Sequence, residues 1–305
     1  MTSFGVALDF GSSLRSVAAQ LERQAGILQY AEDAGFSMVA AGEVLAPTAF
    51  HLPNALEVLA AVALRTRVRL CTGIALLPAW DVEKLALDAA ELDQLSGGRL
   101  TLGIGLGSAA LRRSAGWPEN HAGQTVDDYL AKLRSLWTDG SLAISPVQPG
   151  GPPIWVGGSI RRSARRAARL GQGWYAGINF RLSRLPVNVG WYHDALRSEN
   201  TPVEHGQVVI NRLVLAAESD SELAELSELY LAETLKAYAA GQDLASVTAD
   251  VALVGTPEQI VAQAERYRAA GVTHIFCRLS LDAMPEDVVR RTITLLGREV
   301  IPHVT

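Results

Sequence analysis

The chain has 305 residues, of which 49% are hydrophobic and 19% charged, with a formal net charge of −5. This length fits one large α/β barrel or two small domains, and the apolar content is ample for a core. The acidic balance argues against a nucleic-acid binder, and no apolar run approaches the roughly 20 residues that a membrane helix needs.

In chain order, strand and helix patterns alternate. Phe4–Phe10 is a short β-rich run. Val17, Leu21, Ala25 and Leu28 recur at helical spacing, and Gly35 is placed to end that helix. Ser37–Ala41 is the next strand and runs into Gly42 and Glu43. After a loop through Pro47, His51 and Pro53, Asn54 reads as an N-cap followed by the stripe Leu56, Leu59, Ala60 and Ala63. Val68–Leu77 is the third strand, apolar on both faces as a buried parallel strand is. Its internal Gly73 marks a bulge or a close backbone approach.

Val82, Leu85, Ala89 and Leu92 line the next helix, and Leu100–Gly105 is the fourth strand, running into Leu106 and Gly107. Ser108–Thr125 reads as a polar loop, followed by a helix with Tyr129, Leu133, Leu136 and Trp137. Gly140–Pro153 is an irregular connection. Ile154–Val156 is the fifth strand, and Gly157–Gly158–Ser159 opens a helix to Leu170. Gly173–Ala176 and Gln207–Ala217 follow as strands, and a long helix is expected from Asp220 to about Ala240. Thr256, Pro257 and Gln259 combine a capping hydroxyl, a proline at the first helical position and a glutamine at the third. His274–Leu279 is the last strand, and Pro285–Val300 a final helix with Val289, Ile293, Leu296 and Val300 on one face.

Eight strands alternating with helices point to a (β/α)8 TIM barrel more than to an open doubly wound sheet. No linker divides the chain, so residues 1–305 are expected to form a single barrel domain with insertions near 108–153 and 241–255. Cys71 and Cys277 both fall inside expected strands and read as small buried residues in a reducing compartment. The first residues, MTSFGVALDF, lack the charged and apolar regions of a signal peptide, so a cytoplasmic location is expected. No histidine spacing suggests a metal site.

In such a barrel the site lies at the C-terminal ends of the strands. The residues so placed are Asp9, Glu43, Thr72, Gly73, Ile74, Gly105–Ser108, Gly157–Ser159, Trp174–Tyr175, Asn211–Arg212 and Arg278. No Ser–His–Asp arrangement is visible, and no second carboxylate accompanies Glu43 in sequence. A mouth so poor in titratable groups suits a cofactor that carries the chemistry itself. Gly157, Gly158 and Ser159 at a helix start form a phosphate cradle, or Ser159 simply caps the helix. Arg161, Arg162, Arg165, Arg166 and Arg169 form either a solvated face or a site for an anionic ligand.

Several segments, in the right order, resemble those of the luciferase-like superfamily of bacterial-luciferase-type monooxygenases and F420-dependent oxidoreductases. They are GFSMVAAGEVLAP (35–47), VRLCTGIALLP (68–78), LDQLSGGRLTLGIGLG (92–107), PPIWVGGSIRRSARRAARLGQGWY (152–175) and VGTPEQIVAQAERYRAAGVTHIFCRL (254–279). The resemblance implies a barrel that binds FMN or F420 at its C-terminal mouth. It implies a non-prolyl cis peptide within Thr72–Gly73–Ile74 backing the ring, the cofactor phosphate on Gly157, Gly158 and Ser159, and a channel lined by Gly105 and Gly107. Oligomers are common in the resembled family, so a homodimer is among the expectations.

One departure stands out. Many members carry an acidic residue followed by histidine at the end of strand two, where this chain has Glu43–Val44. Glu43 is then the candidate general acid or base, or else a carboxylate that only pairs with an arginine or backbone N–H. His51 is the loop histidine that could reach the site.

The expected function is hydride transfer between reduced F420 or FMN and a small organic substrate, or oxygen activation on reduced FMN. The compact chain and the glycine–serine segment lean to F420. With FMN, a separate reductase becomes the expected partner, because the Gly105–Gly107 run lacks the third glycine of a nicotinamide fingerprint. Two other readings stay open: a non-catalytic or degenerate flavin-binding barrel, motivated by Val44, and a barrel enzyme for a different phosphorylated ligand. Trp117, His121, Phe180 and Trp191, in or beside the expected pocket loops, hint at an apolar or flat substrate.

Overall fold

The computed structural model describes residues 2–10, 16–43, 54–118, 120–177, 180–232, 235, 244–279 and 284–304. Strand β1 (Ser3–Ala7) leads to α1 (Val17–Asp33), β2 (Met38–Ala41), α2 (Ala55–Ala63), β3 (Arg69–Thr72), β4 (Ala75–Leu76) and α3 (Val82–Ser96). Then come β5 (Leu100–Gly105), α4 (Ala109–Ser114), α5 (Ala122–Thr138), β6 (Ile154–Gly157), α6 (Arg161–Leu170), β7 (Gly173–Ala176) and α7 (Leu185–Ser198). The chain continues through β8 (Gln207–Ala216), α8 (Asp220–Tyr230), α9 (Leu244–Val251), β9 (Ala252–Gly255), α10 (Pro257–Ala269), β10 (His274–Arg278) and α11 (Glu286–Leu295).

Every strand pairing is parallel. Around the barrel the order is β1, β2, β3, β5, β6, β7, β8 and β10, and β10 pairs with both β8 and β1, which closes a (β/α)8 barrel. The register sets Gly5 beside Met38, Met38 beside Arg69, Trp155 beside Gly173 and Val209 beside His274. Closure leaves the barrel strands without free edges, so their backbone groups pair within the sheet.

Local sequence explains the element ends. Asn54 Oδ1 accepts from Leu56 N at 2.9 Å and Glu57 N at 3.2 Å, capping α2. Gly97 ends α3 at φ +66°, a left-handed conformation in which Cβ is a liability. Thr256 N donates to Gln259 Oε1 at 3.0 Å, with Pro257 opening α10.

The structure also departs from the sequence expectation. Val68–Leu77 is two strands, because Gly73–Ile74 interrupts it. The expected polar loop after β5 contains α4, capped where Ser108 Oγ accepts from Leu111 N at 3.1 Å. The helix from Asp220 ends at Tyr230, and most of its expected continuation lies outside the described residues. The segment expected as an insertion contributes β9, which pairs with the far half of β8, Leu213 to Ala252 and Ala216 to Gly255. Four residues are too few for a periodic signal to show.

Two apolar clusters result. A large one lies between the strands and the helices and includes Leu70, Leu102, Ile104, Trp174 and Tyr267. A small one fills the lumen: Ala7, Met38, Ala40, Cys71, Trp155, Tyr175, Val209 and Phe276. Both cysteines are buried and free, Cys71 in the lumen and Cys277 in the outer layer. Among the described residues, no helix is long and apolar enough to cross a membrane, and no group of His, Cys, Asp and Glu is gathered as for a metal.

At the start of β10, His274 lies 5.1 Å from the Trp155 ring, with Nδ1 2.8 Å from Thr273 Oγ1. Burial, and secondarily the charge of Arg69, pushes its pKa down to about 4. The unfolded chain takes up this proton near pH 6.5 and the folded chain does not, so stability falls as pH drops from 6.5 toward 4. His274→Phe is expected to reduce the loss of stability between pH 7 and pH 4.5 by about 2 kcal/mol, measured by urea denaturation at the two pH values.

Candidate functional site

Side chains alternate across a strand, so the lumen residues fix which of their neighbours face the mouth. Stepping from the lumen cluster toward the C-terminal ends places Gly42, Gly73, Gly157 and Gly177 on one side, and Gly105 joins them because Leu102 and Ile104 of β5 face the outer layer. Asp9, Asn211 and Arg278 take the other. Five of these eight rim positions are therefore bare backbone, and the other three carry polar side chains.

The glycine side is shaped around one segment. Thr72 Oγ1 donates to Gly103 O at 2.6 Å, and Gly73 N donates to Ala41 O at 2.6 Å. The peptide between Gly73 and Ile74 is cis, within the three residues that the sequence resemblance singled out. A Cβ on Gly42 would stand 2.6 Å from Gly73 O, and one on Gly157 would stand 2.8 Å from Ile104 O and 2.9 Å from Ile74 Cδ1. At Gly103 and Gly105 it would overlap Thr72 O and Ile74 Cδ1. Gly105 is thus buried against Ile74, whereas Gly107 is exposed beyond the strand at φ +62°. The glycines of β5 are needed first to let the 72–74 segment cross.

Glu43 follows β2 and is only 8% exposed. Its Oε2 accepts from Leu76 N at 2.9 Å, its Oε1 from Ala55 N at 3.4 Å, and Trp80 Nε1 lies 3.2 Å from both oxygens. Burial raises its pKa above the usual carboxylate value, and these three donors offset part of the rise. Trp80 was not legible as a site residue; its only signal is an aromatic just after Pro78 at the end of a strand. Val44 and His51 lie outside the described residues.

On the polar side, Arg278 forms an ion pair with Asp9, which is buried. Beneath the rim, the Tyr175 ring stacks on Phe276 with centroids 6.1 Å apart, and its hydroxyl lies 2.8 Å from the position of a Cβ on Gly73. Burial keeps that hydroxyl protonated, its pKa well above the usual value. Asn211 stands close enough to offset this in part, yet neither Tyr175 Oη nor Asn211 Oδ1 has a hydrogen bond of normal geometry. Of two neighbouring pairs expected at the mouth, one member of each faces away. Trp174 packs edge-on to Phe180 in the outer layer. Arg212 is buried there too, donating to Tyr267 Oη at 2.8 Å and Phe180 O at 2.5 Å. In both cases strand register decides, and strands that are apolar on both faces do not reveal it.

After β6, Gly158 takes φ +149° and its carbonyl accepts from Trp174 Nε1 at 2.9 Å. Ser159 is exposed and does not cap α6; Ile160 holds that position, where its N donates to Ser163 Oγ at 3.2 Å. The arginine cluster divides. Arg166 and Arg169 both pair with Asp127. Arg161, Arg162 and Arg165 are exposed, with no ion-pair partner among the described residues.

A parallel eight-stranded barrel with a side-chain-poor rim and free arginines beside one strand end belongs to the class of (β/α)8 proteins whose site is the C-terminal mouth. More narrowly, the chain belongs to the luciferase-like monooxygenase family, whose model matches residues 2–274. It is 31% identical over 147 residues to the oxygenase component of the flavin-dependent trigonelline monooxygenase of Acinetobacter baylyi, a match covering 43% of this chain and 41% of that protein. The oxygenating constituent of 3,6-diketocamphane monooxygenase from Pseudomonas putida, in complex with FMN, shares the fold with a TM-score of 0.82 at 20% identity over 100% of this chain and 99% of that one. So does the coenzyme F420-dependent tetrahydromethanopterin reductase of Methanopyrus kandleri, with a TM-score of 0.77 at 16% identity and the same coverage.

Gly103→Ala is expected to destabilise the protein by about 3 kcal/mol or more, because the added carbon meets backbone that the Thr72–Gly103 hydrogen bond holds in place. Gly190→Ala in α7, where nothing lies within 4 Å of the new carbon, should instead stabilise it by about 0.5–1 kcal/mol. Paired denaturation curves would show the contrast.

Proposed function

We propose that this protein is an oxidoreductase that holds a reduced flavin or deazaflavin at the barrel mouth and uses it on a small organic substrate. The observation that carries this reading is the Gly73–Ile74 segment, a stretch of backbone with glycines on both flanks that offers a planar ring a flat support. The other residues fit such a group. Gly158 and the free Arg161, Arg162 and Arg165 suit a phosphate. The unbonded Tyr175 Oη and Asn211 Oδ1 lie beneath the rim, and Asp9 and Arg278 supply a polar wall across from the glycines.

When bound, such a cofactor supplies a hydride or, as reduced flavin, the electrons that activate dioxygen. The chain's own work is then binding and orientation. Gly73 and Ile74 fix the plane of the ring, the arginines of α6 hold the anionic end, and the packed lumen under the rim excludes water from below.

FMN is the leading reading, supported by the flavin-dependent oxygenase relative, and it brings a separate flavin reductase as partner. F420 is the second. The three unpaired arginines favour it, because they offer more positive charge than one phosphate uses. The Glu43–Val44 pair keeps a third reading in view: cofactor binding without turnover.

Side-by-side fluorescence titration of the purified protein with FMN and F420 tests the assignment. At least one should bind with a Kd of about micromolar order, and Arg161→Gln with Arg162→Gln should weaken it about tenfold and flatten its salt dependence. Binding of neither would overturn the cofactor reading.

A further inference from the structure

Sequence alone casts Glu43 as an acid or base, or as a carboxylate that merely pairs. Its surroundings define a more particular task. Two carboxylate oxygens offer about four acceptor sites. Four contacts are made, from Leu76 N, Ala55 N and, on both oxygens, Trp80 Nε1. All three donors belong to the protein's own framework. Ala55 is the first residue of α2, Leu76 ends β4, and Trp80 follows the short turn Leu77–Ala79. A carboxylate so engaged is held in place and also sits at the positive end of a helix.

The position of these anchors matters. Gly73 N donates to Ala41 O on one side of the Gly73–Ile74 peptide, and Leu76 N donates to Glu43 Oε2 on the other. Both acceptors belong to residues 41–43, and Gly42 between them is the residue against which Gly73 O packs. One end of that segment is gripped by main chain and the other by a side chain. Trp80 extends the grip outward, since Tyr129 Oη donates to its carbonyl at 3.2 Å.

We propose that Glu43 is a positioning residue, a buried clamp that sets the height of the Gly73–Ile74 support by tying β4 to the end of β2 and the start of α2. The inference rests on the reading that this segment carries the cofactor ring. Charge is what the clamp requires: in Glu43→Gln an amide NH2 would replace one acceptor and face an N–H donor.

The test uses the full chain and two readouts. In the cofactor-free protein, amide hydrogen exchange at Leu76 and its neighbours should speed up about tenfold in Glu43→Gln. With whichever of FMN or F420 the wild type binds, Kd should rise about tenfold, and the visible absorption of the bound cofactor should shift. Gln259→Ala, which removes the acceptor of Thr256 N at the start of α10 on another part of the barrel, serves as the stability control and should leave both cofactor signals unchanged. If Glu43→Gln does not fold, Trp80→Phe removes one donor and should raise Kd about threefold. Unchanged exchange at Leu76, or unchanged affinity with turnover lost, would overturn the clamp, the latter in favour of proton transfer. Should the wild type bind neither cofactor, the functional reading fails by itself and the exchange rate at Leu76 alone decides the clamp.

Discussion

The approach of Thr72–Ile74 to the strands on either side is the constraint on which the mouth depends. In a barrel of this size the interior is normally filled by side chains from every strand. Here β2, β5 and β6 give up side chains where backbone from the β3–β4 junction crosses. The Thr72 hydroxyl bonded to Gly103 O, and Gly73 N bonded to Ala41 O, hold that backbone on both flanks. Nothing bulkier than glycine fits at 42 or 103 without moving main chain, so these positions answer to geometry before they answer to any ligand.

Around this constraint the polar groups divide by side. Those that stabilise the frame are hydrogen-bonded to it: Arg212 with Tyr267 and Phe180 O, and Asp93 with Gln148 N at 2.9 Å and Gln148 Nε2 at 2.8 Å. Tyr175 Oη and Asn211 Oδ1, two buried atoms without a hydrogen bond of normal geometry, lie under the mouth, and the exposed Arg161, Arg162 and Arg165 stand beside it. Buried polar atoms without partners cost free energy, and folded proteins keep few of them. That Tyr175 and Asn211 lie together beneath one rim is a more pointed signal than the presence of any one residue type there.

Much of this was legible in the sequence, for identifiable reasons. The barrel strands carry enough β-branched and apolar residues to show, and the caps at Asn54 and Thr256 are local codes that need no tertiary context. The interruption at Gly73 could be placed because glycine inside a strand is costly without a close approach. What could not be read depends on contacts distant in sequence. Glu43 meets Leu76 and Trp80 across 33 and 37 residues. That Asn211 faces the lumen and Arg212 the outer layer is a matter of register, which a run such as VVINRLVLAA does not disclose. The short α4 and β9 fall below the length at which periodicity speaks.

The two apolar clusters share no residue, since the wall of strands lies between them. The helices pack on the sheet through the outer layer, with Arg212–Tyr267 and Thr292–Ala216 as polar ties, while the lumen residues line the floor of the mouth. Ala7, Ala40 and Val209 are small, and Trp155, Tyr175 and Phe276 are large, so the floor is a mosaic whose relief can be redrawn. Exchanges that conserve total volume among these positions would raise or lower the floor while sparing the layer between strands and helices. Such a division lets one fold be recut for new substrates, by descent or by design, without first being rebuilt.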